Sequence, residues 1–150
     1  MKANKIEKII GTGLLSGYFP IFPGTAGSVV AVIIYFIPGF ENPTVMLIAI
    51  SLFTIIGINI ATKFEAEYGK DPSIFTLDEF IGTWISLLFI PKILWLIILD
   101  FIVWRLLDII KPFPAKQLEN IKGGTGVIAD DVVSGIYSLI IMHIFIFLLL

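Results

Sequence analysis

The chain contains no cysteine. Disulfides, thiolate metal ligands and thiol nucleophiles are therefore excluded. Histidine occurs once, at His143 in a long apolar run, which excludes a histidine-rich metal centre. Charge is also scarce: Asp, Glu, Lys and Arg make up 15% of the 150 residues, against roughly 25% in ordinary soluble domains. Net charge is -2, which argues against a general nucleic-acid binder. Hydrophobic residues fill 57% of the sequence, and mean hydropathy is +1.00. So apolar a chain reads as a single membrane-embedded domain, residues 1–150.

Long uncharged stretches mark the candidate spans. Residues 9–40 carry no charge, but Pro20, Pro23 and Pro38 divide them, leaving 25–37 as the helical part. Residues 44–61 form a good span, and residues 132–150 form another. The apolar stretch 80–110 is too long for one crossing and contains Pro91, which breaks a helix interior. It reads as a hairpin of two helices, about 80–90 and 93–110. The basic and then apolar start, residues 1–20, is interrupted by Gly11, Gly13 and Gly17 and reads as a retained amphipathic helix at the membrane surface. The expected fold is all-α: an integral membrane helical bundle of about four to five apolar helices with an N-terminal amphipathic helix. Placing residues 1–10, 62–79 and 105–131 on one side puts nine of the ten Lys and Arg residues there, with Lys92 opposite. The positive-inside rule makes that side cytoplasmic.

The acids cluster on the same side. Two adjacent pairs stand out, Asp78-Glu79 and Asp130-Asp131, each expected at a helix start. Carboxylates without nearby His or Cys suit a hard cation, with Mg²⁺ the usual choice. Acids at helix N-termini also stabilise the helix dipole, which is the alternative reading of either pair alone. Glycine-rich turns, residues 22–28 and 123–131, precede the first and last spans. Such turns can present backbone N–H groups to phosphate, or simply allow close helix packing. Arg105, Asp108 and Lys111 lie three residues apart on one helix face. They read as phosphate contacts or as a structural ion-pair string. Together these pieces form a phosphate-and-metal site at the membrane surface. Elimination narrows its chemistry. Asp-x-Asp-x-Thr/Val, the mark of aspartyl-phosphate hydrolases, is missing, as is the Asp-Gly-x-x-Ala-Arg of headgroup transferases. Metal-activated water attacking phosphorus remains.

Four segments in order, FPGTAGS at 22–28, DPSIFTLDEFIGTW at 71–84, RLLDIIKPFP at 105–114 and GGTGVIADDVVSGIY at 123–137, closely resemble the phosphatidylglycerophosphatase A family. The resemblance runs from about Gly11 to Tyr137. It implies a Mg²⁺-dependent phosphatase that converts phosphatidylglycerol phosphate to phosphatidylglycerol in phospholipid biosynthesis. It also implies a multi-pass protein of the bacterial cytoplasmic membrane with its site on the cytoplasmic face. The family pattern supports Pro23, Gly24, Thr25, Asp71, Asp78, Glu79, Asp108, Lys111, Gly123, Gly124, Asp130 and Asp131 as the site. Leu107, Ala129 and Asn120 depart from the residues usual in the family.

On this reading Asp71, Asp78, Glu79, Asp130 and Asp131 are metal ligands, and Asp78, Glu79, Asp130 and Asp131 are catalytic. Gly24, Thr25, Asp108, Lys111, Gly123 and Gly124 bind substrate. Glu79 is the candidate general base, and Asp108 either orders Lys111 or adds a metal ligand. The lipid substrate lies in the bilayer and only its headgroup need reach the site. Oligomeric state is open, a homo-oligomer included. Competing classes are a small cation-binding transporter, in which the intramembrane Asp100 would be central, and a lipid-binding scaffold that needs no metal. Otherwise Asp100 is expected to bond Trp104 or a hydroxyl of another helix.

Overall fold

The computed structural model describes residues 1–150 and is all-helical, with no strand. Seven α-helices follow in order: α1 (Lys5–Gly11), α2 (Pro23–Tyr35), α3 (Pro43–Tyr68), α4 (Leu77–Ser86), α5 (Leu94–Ile110), α6 (Ala115–Leu118) and α7 (Gly124–Leu149). Proline sets two of the starts. Pro23 and Pro43 occupy first-turn positions, where a missing N–H costs nothing. Asn42 caps α3 by accepting from the Thr44 N–H at 2.9 Å.

Only α3 and α7 are long and apolar enough to cross a membrane, fewer than the four to five spans expected. Each has 26 residues, about 39 Å at 1.5 Å per residue, enough for a hydrocarbon core of about 30 Å. Only 28% and 22% of their most apolar windows are buried within the fold, so their apolar faces point mainly outward, unlike the core helix of a soluble protein. The shortfall lies in α2, α4 and α5. Turns at 36–42 and 87–93 end α2 and α4 and delay α5, so the apolar stretches there exceed the helices they yield.

The shortest of these three, α4, is the centre of the molecule. Every residue from Leu77 to Ser86 is buried, packed by α2, α3, α5 and α7. Two small residues make the central crossing possible. A Cβ on Gly135 of α7 would sit 2.7 Å from the Gly82 carbonyl oxygen of α4, and one on Gly82 would collide with the Trp104 ring. Backbones therefore touch where side chains would hold them apart. The Trp84 indole donates to the Ala31 carbonyl at 3.1 Å, fixing α4 to α2.

Asp100 is the other tie, and the structure gives it hydroxyl partners. Ser86 of α4 donates to one carboxylate oxygen at 2.7 Å and Ser138 of α7 to the other at 3.3 Å. The indole of Trp104 bonds Ser28 of α2 instead. Asp100 is 1% exposed and lines no cavity. At the N-terminus, α1 is closed by a reciprocal Asn4–Glu7 cap and held to α3 by Lys63–Glu7 and Lys8–Glu67 ion pairs. His143 bonds only the Leu139 carbonyl of its own helix.

Removing the carboxylate in Asp100→Ala strands the Ser138 hydroxyl in the interior, while Ser86 keeps the Thr83 carbonyl, and breaks the tie among three helices. Thermal denaturation of the purified protein in detergent should show a loss of about 1–3 kcal/mol. Asp100→Asn, which keeps an acceptor oxygen, should lose less.

Candidate functional site

Three helix ends, the second turn of α7 and one loop converge on a cavity of about 420 Å³. The N-terminus of α2 brings Pro23, Gly24 and Thr25, and the first turn of α4 brings Asp78 and Glu79. The last turns of α5 bring Arg105 and Asp108, with Lys111 just beyond. α7 brings Asp130 and Asp131, and the loop before α4 adds Asp71, Pro72 and Ser73. Ten of the twelve positions expected from the sequence therefore share one cavity.

Gly123 and Gly124 are the exceptions, and they mark a different helix start. Gly123 has φ +80° and precedes α7, which begins at Gly124 rather than after the acid pair. The expected loop is helix, and Asp130 and Asp131 sit well inside it. The free amides are capped by α3: Gly123 N–H donates to Glu65 at 3.0 Å and Gly124 N–H to Thr62 at 2.9 Å. With donors already bonded, and lying outside the cavity, these glycines shape a helix junction and present no N–H to a phosphate.

Inside the cavity, two cations hold a group of acids together. Arg105 Nη1 donates to Glu79 at 2.7 Å and to Asp108 at 2.9 Å. Lys111 Nζ lies 2.6 Å from Asp130, 3.5 Å from Asp108 and 4.0 Å from Asp131. Lys111 can reach inward because it ends α5 in the left-handed conformation, φ 50°. Burial works against its ammonium, but Asp131, Asp108 and Asp130 outweigh that and keep it charged. Burial pushes the Asp78 carboxyl well above the ordinary carboxylate range, and the Glu79 charge adds to it. Glu79 is raised by burial and by Asp108, with Arg105 and Lys111 pulling it back.

The family pattern left Arg105 out of the site, although its spacing had offered it as a phosphate contact or as part of an ion-pair string. Its spacing to Asp108 was visible, but the partner that places it centrally, Glu79, is 26 residues away. Asp71 lines the cavity from an exposed position, φ 47°, and belongs to neither of the close acid groups.

Those groups are Asp78, Glu79 and Asp131, and Asp108, Asp130 and Asp131. In each, one oxygen per residue lies within 4.8 Å of the others, and Asp131 belongs to both. All five residues are buried, and only Arg105 and Lys111 oppose them. Asp130 Oδ1 and Asp131 Oδ2 are buried without any hydrogen-bond partner. Unpaired buried oxygens and an excess of carboxylate are costly unless a cation completes them. The donors are all oxygen, as a hard divalent ion requires. The residues fit Mg²⁺.

A family model described as Phosphatidylglycerophosphatase A matches residues 9–146. The chain is 42% identical over 144 residues to a Bacteroides thetaiotaomicron protein carrying the provisional name phosphatidylinositol-3-phosphatase, covering 91% of each chain. It is 32% identical over 146 residues to the Escherichia coli protein named phosphatidylglycerophosphatase A, covering 95% of this chain and 85% of that one. A Haemophilus influenzae protein of the same name is 33% identical over 141 residues, covering 89% and 85%. No solved structure matches the chain.

If Arg105 is the pin of this acid group, Arg105→Met should leave Glu79 without its ion-pair partner and Asp108 with Lys111 alone, and cost about 3–5 kcal/mol in thermal or denaturant melts. Arg105→Lys should recover only part, since the ammonium sits on a shorter side chain and is more strongly hydrated, so burying it costs more than burying a guanidinium.

Proposed function

The chain belongs to the phosphatidylglycerophosphatase A family, and from that membership we propose that it removes the terminal phosphate of phosphatidylglycerol phosphate, with Mg²⁺ held by the buried acids. The observation that carries the proposal is the placement of Asp131 in both carboxylate groups, beside two cations and a helix N-terminus. Asp78, Glu79, Asp108, Asp130 and Asp131 would hold the metal. Bound there, Mg²⁺ would neutralise phosphoryl oxygens and lower the pKa of a coordinated water.

The chain's own groups divide the remaining work. The amides of Gly24 and Thr25 precede the first bond of α2, Ala26 N–H to the Phe22 carbonyl, and are free to receive phosphoryl oxygens. Arg105 and Lys111 supply positive charge on the facing wall. The two Glu79 oxygens differ. Oε2 is held by Arg105 at 2.7 Å, while Oε1 points at Gly24: a Cβ there would lie 2.6 Å from it. Glu79 Oε1 therefore faces the place where phosphate meets the α2 amides and is positioned to take a proton from the attacking water. Water forms the new P–O bond and gives its proton to Glu79, the P–O bond to the glycerol carbon's oxygen breaks, and that oxygen takes the proton from Glu79 and leaves as a hydroxyl, releasing inorganic phosphate. Gly24 is the residue that keeps this gap open.

Two long apolar helices and bacterial relatives fit a lipid substrate at a membrane. We place the site on the cytoplasmic face of a multi-pass protein, where the basic residues gather. The name of the Bacteroides relative favours a second substrate of the same chemistry, an inositol lipid bearing a 3-phosphate.

Phosphate release by purified protein in detergent separates these readings. Wild type should release phosphate from phosphatidylglycerol phosphate with Mg²⁺ and not with EDTA. Asp131→Asn should lose activity by about a hundredfold or more, the scale of removing one electrostatic group from a phosphoryl site. Faster release from phosphatidylinositol 3-phosphate would transfer the assignment to that lipid, and equal release in EDTA would remove the metal. Gly24→Ala should lower kcat while leaving the melting temperature near that of wild type.

A further inference from the structure

The cavity has an apolar continuation. Phe22 and Thr25 line it and also line a depression on the outer side of α2, reached past Ala26 to Val29. Val29 in turn belongs to a groove of about 240 Å³ between α2 and α5, whose walls are wholly hydrophobic. The two helices run in opposite directions: α2 begins at the acid cavity and α5 ends there. Each carries one stripe at three- and four-residue spacing. On α2 the stripe is Thr25, Val29, Val32 and Phe36; on α5 it is Leu94, Ile98, Phe101, Arg105 and Asp108. Both stripes are polar at the cavity and apolar below it. The floor includes Ile97, 2% exposed, while Val29 and Ile98 stand at the rim, 45% and 52% exposed.

We propose that this groove holds one acyl chain of the lipid whose phosphate enters the acid cavity. The inference rests on the phosphatase reading and adds to it a built subsite for the tail. Length supports the assignment. From Thr25 to Phe36 the stripe spans about 16 Å of helix rise, close to the roughly 15 Å depth of one leaflet's hydrocarbon. Continuity supports it further: the intervening depression shares Phe22 and Thr25 with the headgroup cavity and Val29 with the groove. An acyl chain lying there also aims its glycerol end at Thr25 and Arg105.

The test fills the groove without touching the polar groups. Val29→Trp and Ile98→Trp put indoles at exposed rim positions, and Ile55→Trp on the outward face of α3 is the control, 66% exposed. Each variant is assayed on dipalmitoyl and on dihexanoyl phosphatidylglycerol phosphate in the same detergent. The groove variants should lose about tenfold or more in kcat/KM on the long-chain lipid, the scale of excluding methylenes from an apolar pocket. They should retain the short-chain rate, and the control should retain both. Equal loss on both lipids, or no loss on either, would overturn the proposal. In parallel, wild type in phosphatidylcholine vesicles is irradiated with phosphatidylglycerol phosphate carrying a diazirine midway along one chain. Labelling concentrated at 29–36 and 94–101 supports the groove, and labelling spread evenly over α3 and α7 sinks it. Groove labelling without phosphate release from any lipid would support the groove and overturn the phosphatase reading alone. Release without groove labelling would do the reverse.

Discussion

Five buried carboxylates held by one arginine and one lysine are the constraint on which the rest of the structure depends. In an apolar bundle such a group cannot be solvated away, so it must be braced from several sides. Arg105 and Lys111, both from the end of α5, reach across to α4 and α7. Their reach sets how closely those helices must approach. The Gly82–Gly135 contact is the backbone counterpart, since bulkier residues there would hold α4 and α7 too far apart for the ion pairs to close.

Asp100 extends the same logic deeper into the bundle. It accepts hydroxyl bonds from α4 and α7 at a level between the acid cavity and the opposite end. The three helices that carry the carboxylates are thus pinned twice, once by ion pairs and once by hydroxyl bonds to Asp100. At the far end, Lys92 pairs with Glu41 between the two turns that end there, 3.1 Å apart. A transport pathway would string polar groups along an opening. Here the deeper polar group is sealed among side chains that bond it.

Much of this was legible in the sequence because the signals are local. Proline and uncharged stretches located the helices, and the gathering of polar segments foretold a single site. Asp78-Glu79, Asp108, Lys111 and Asp130-Asp131 meet as their shared type and placement implied. What remained hidden depends on distant partners. The glycine turn at 123–126 reads locally as a loop, yet it opens a helix because Thr62 and Glu65, about sixty residues earlier, cap it. Arg105 read equally as a phosphate contact or as a member of a structural ion-pair string, and its bond to Glu79 of another helix lay outside that local pattern. The spans were overcounted for a related reason. Apolar composition shows that a segment avoids water, but a helix such as α4 can avoid it inside protein as well as inside lipid.

The burial of α4 has a consequence for how the molecule is made. A ten-residue helix rises about 15 Å, too little to be inserted into a bilayer as an independent stretch, and its leading acids would resist entry. It must be received by neighbours already in place, and one of them, α7, comes from the far end of the sequence. Until that helix emerges, α4 has no wall on its Gly82 side and the acid group lacks Asp130 and Asp131. The acid group is thus complete only once α7 has docked, and a nascent chain that carries most of the bundle still lacks the carboxylate common to both acid groups, Asp131.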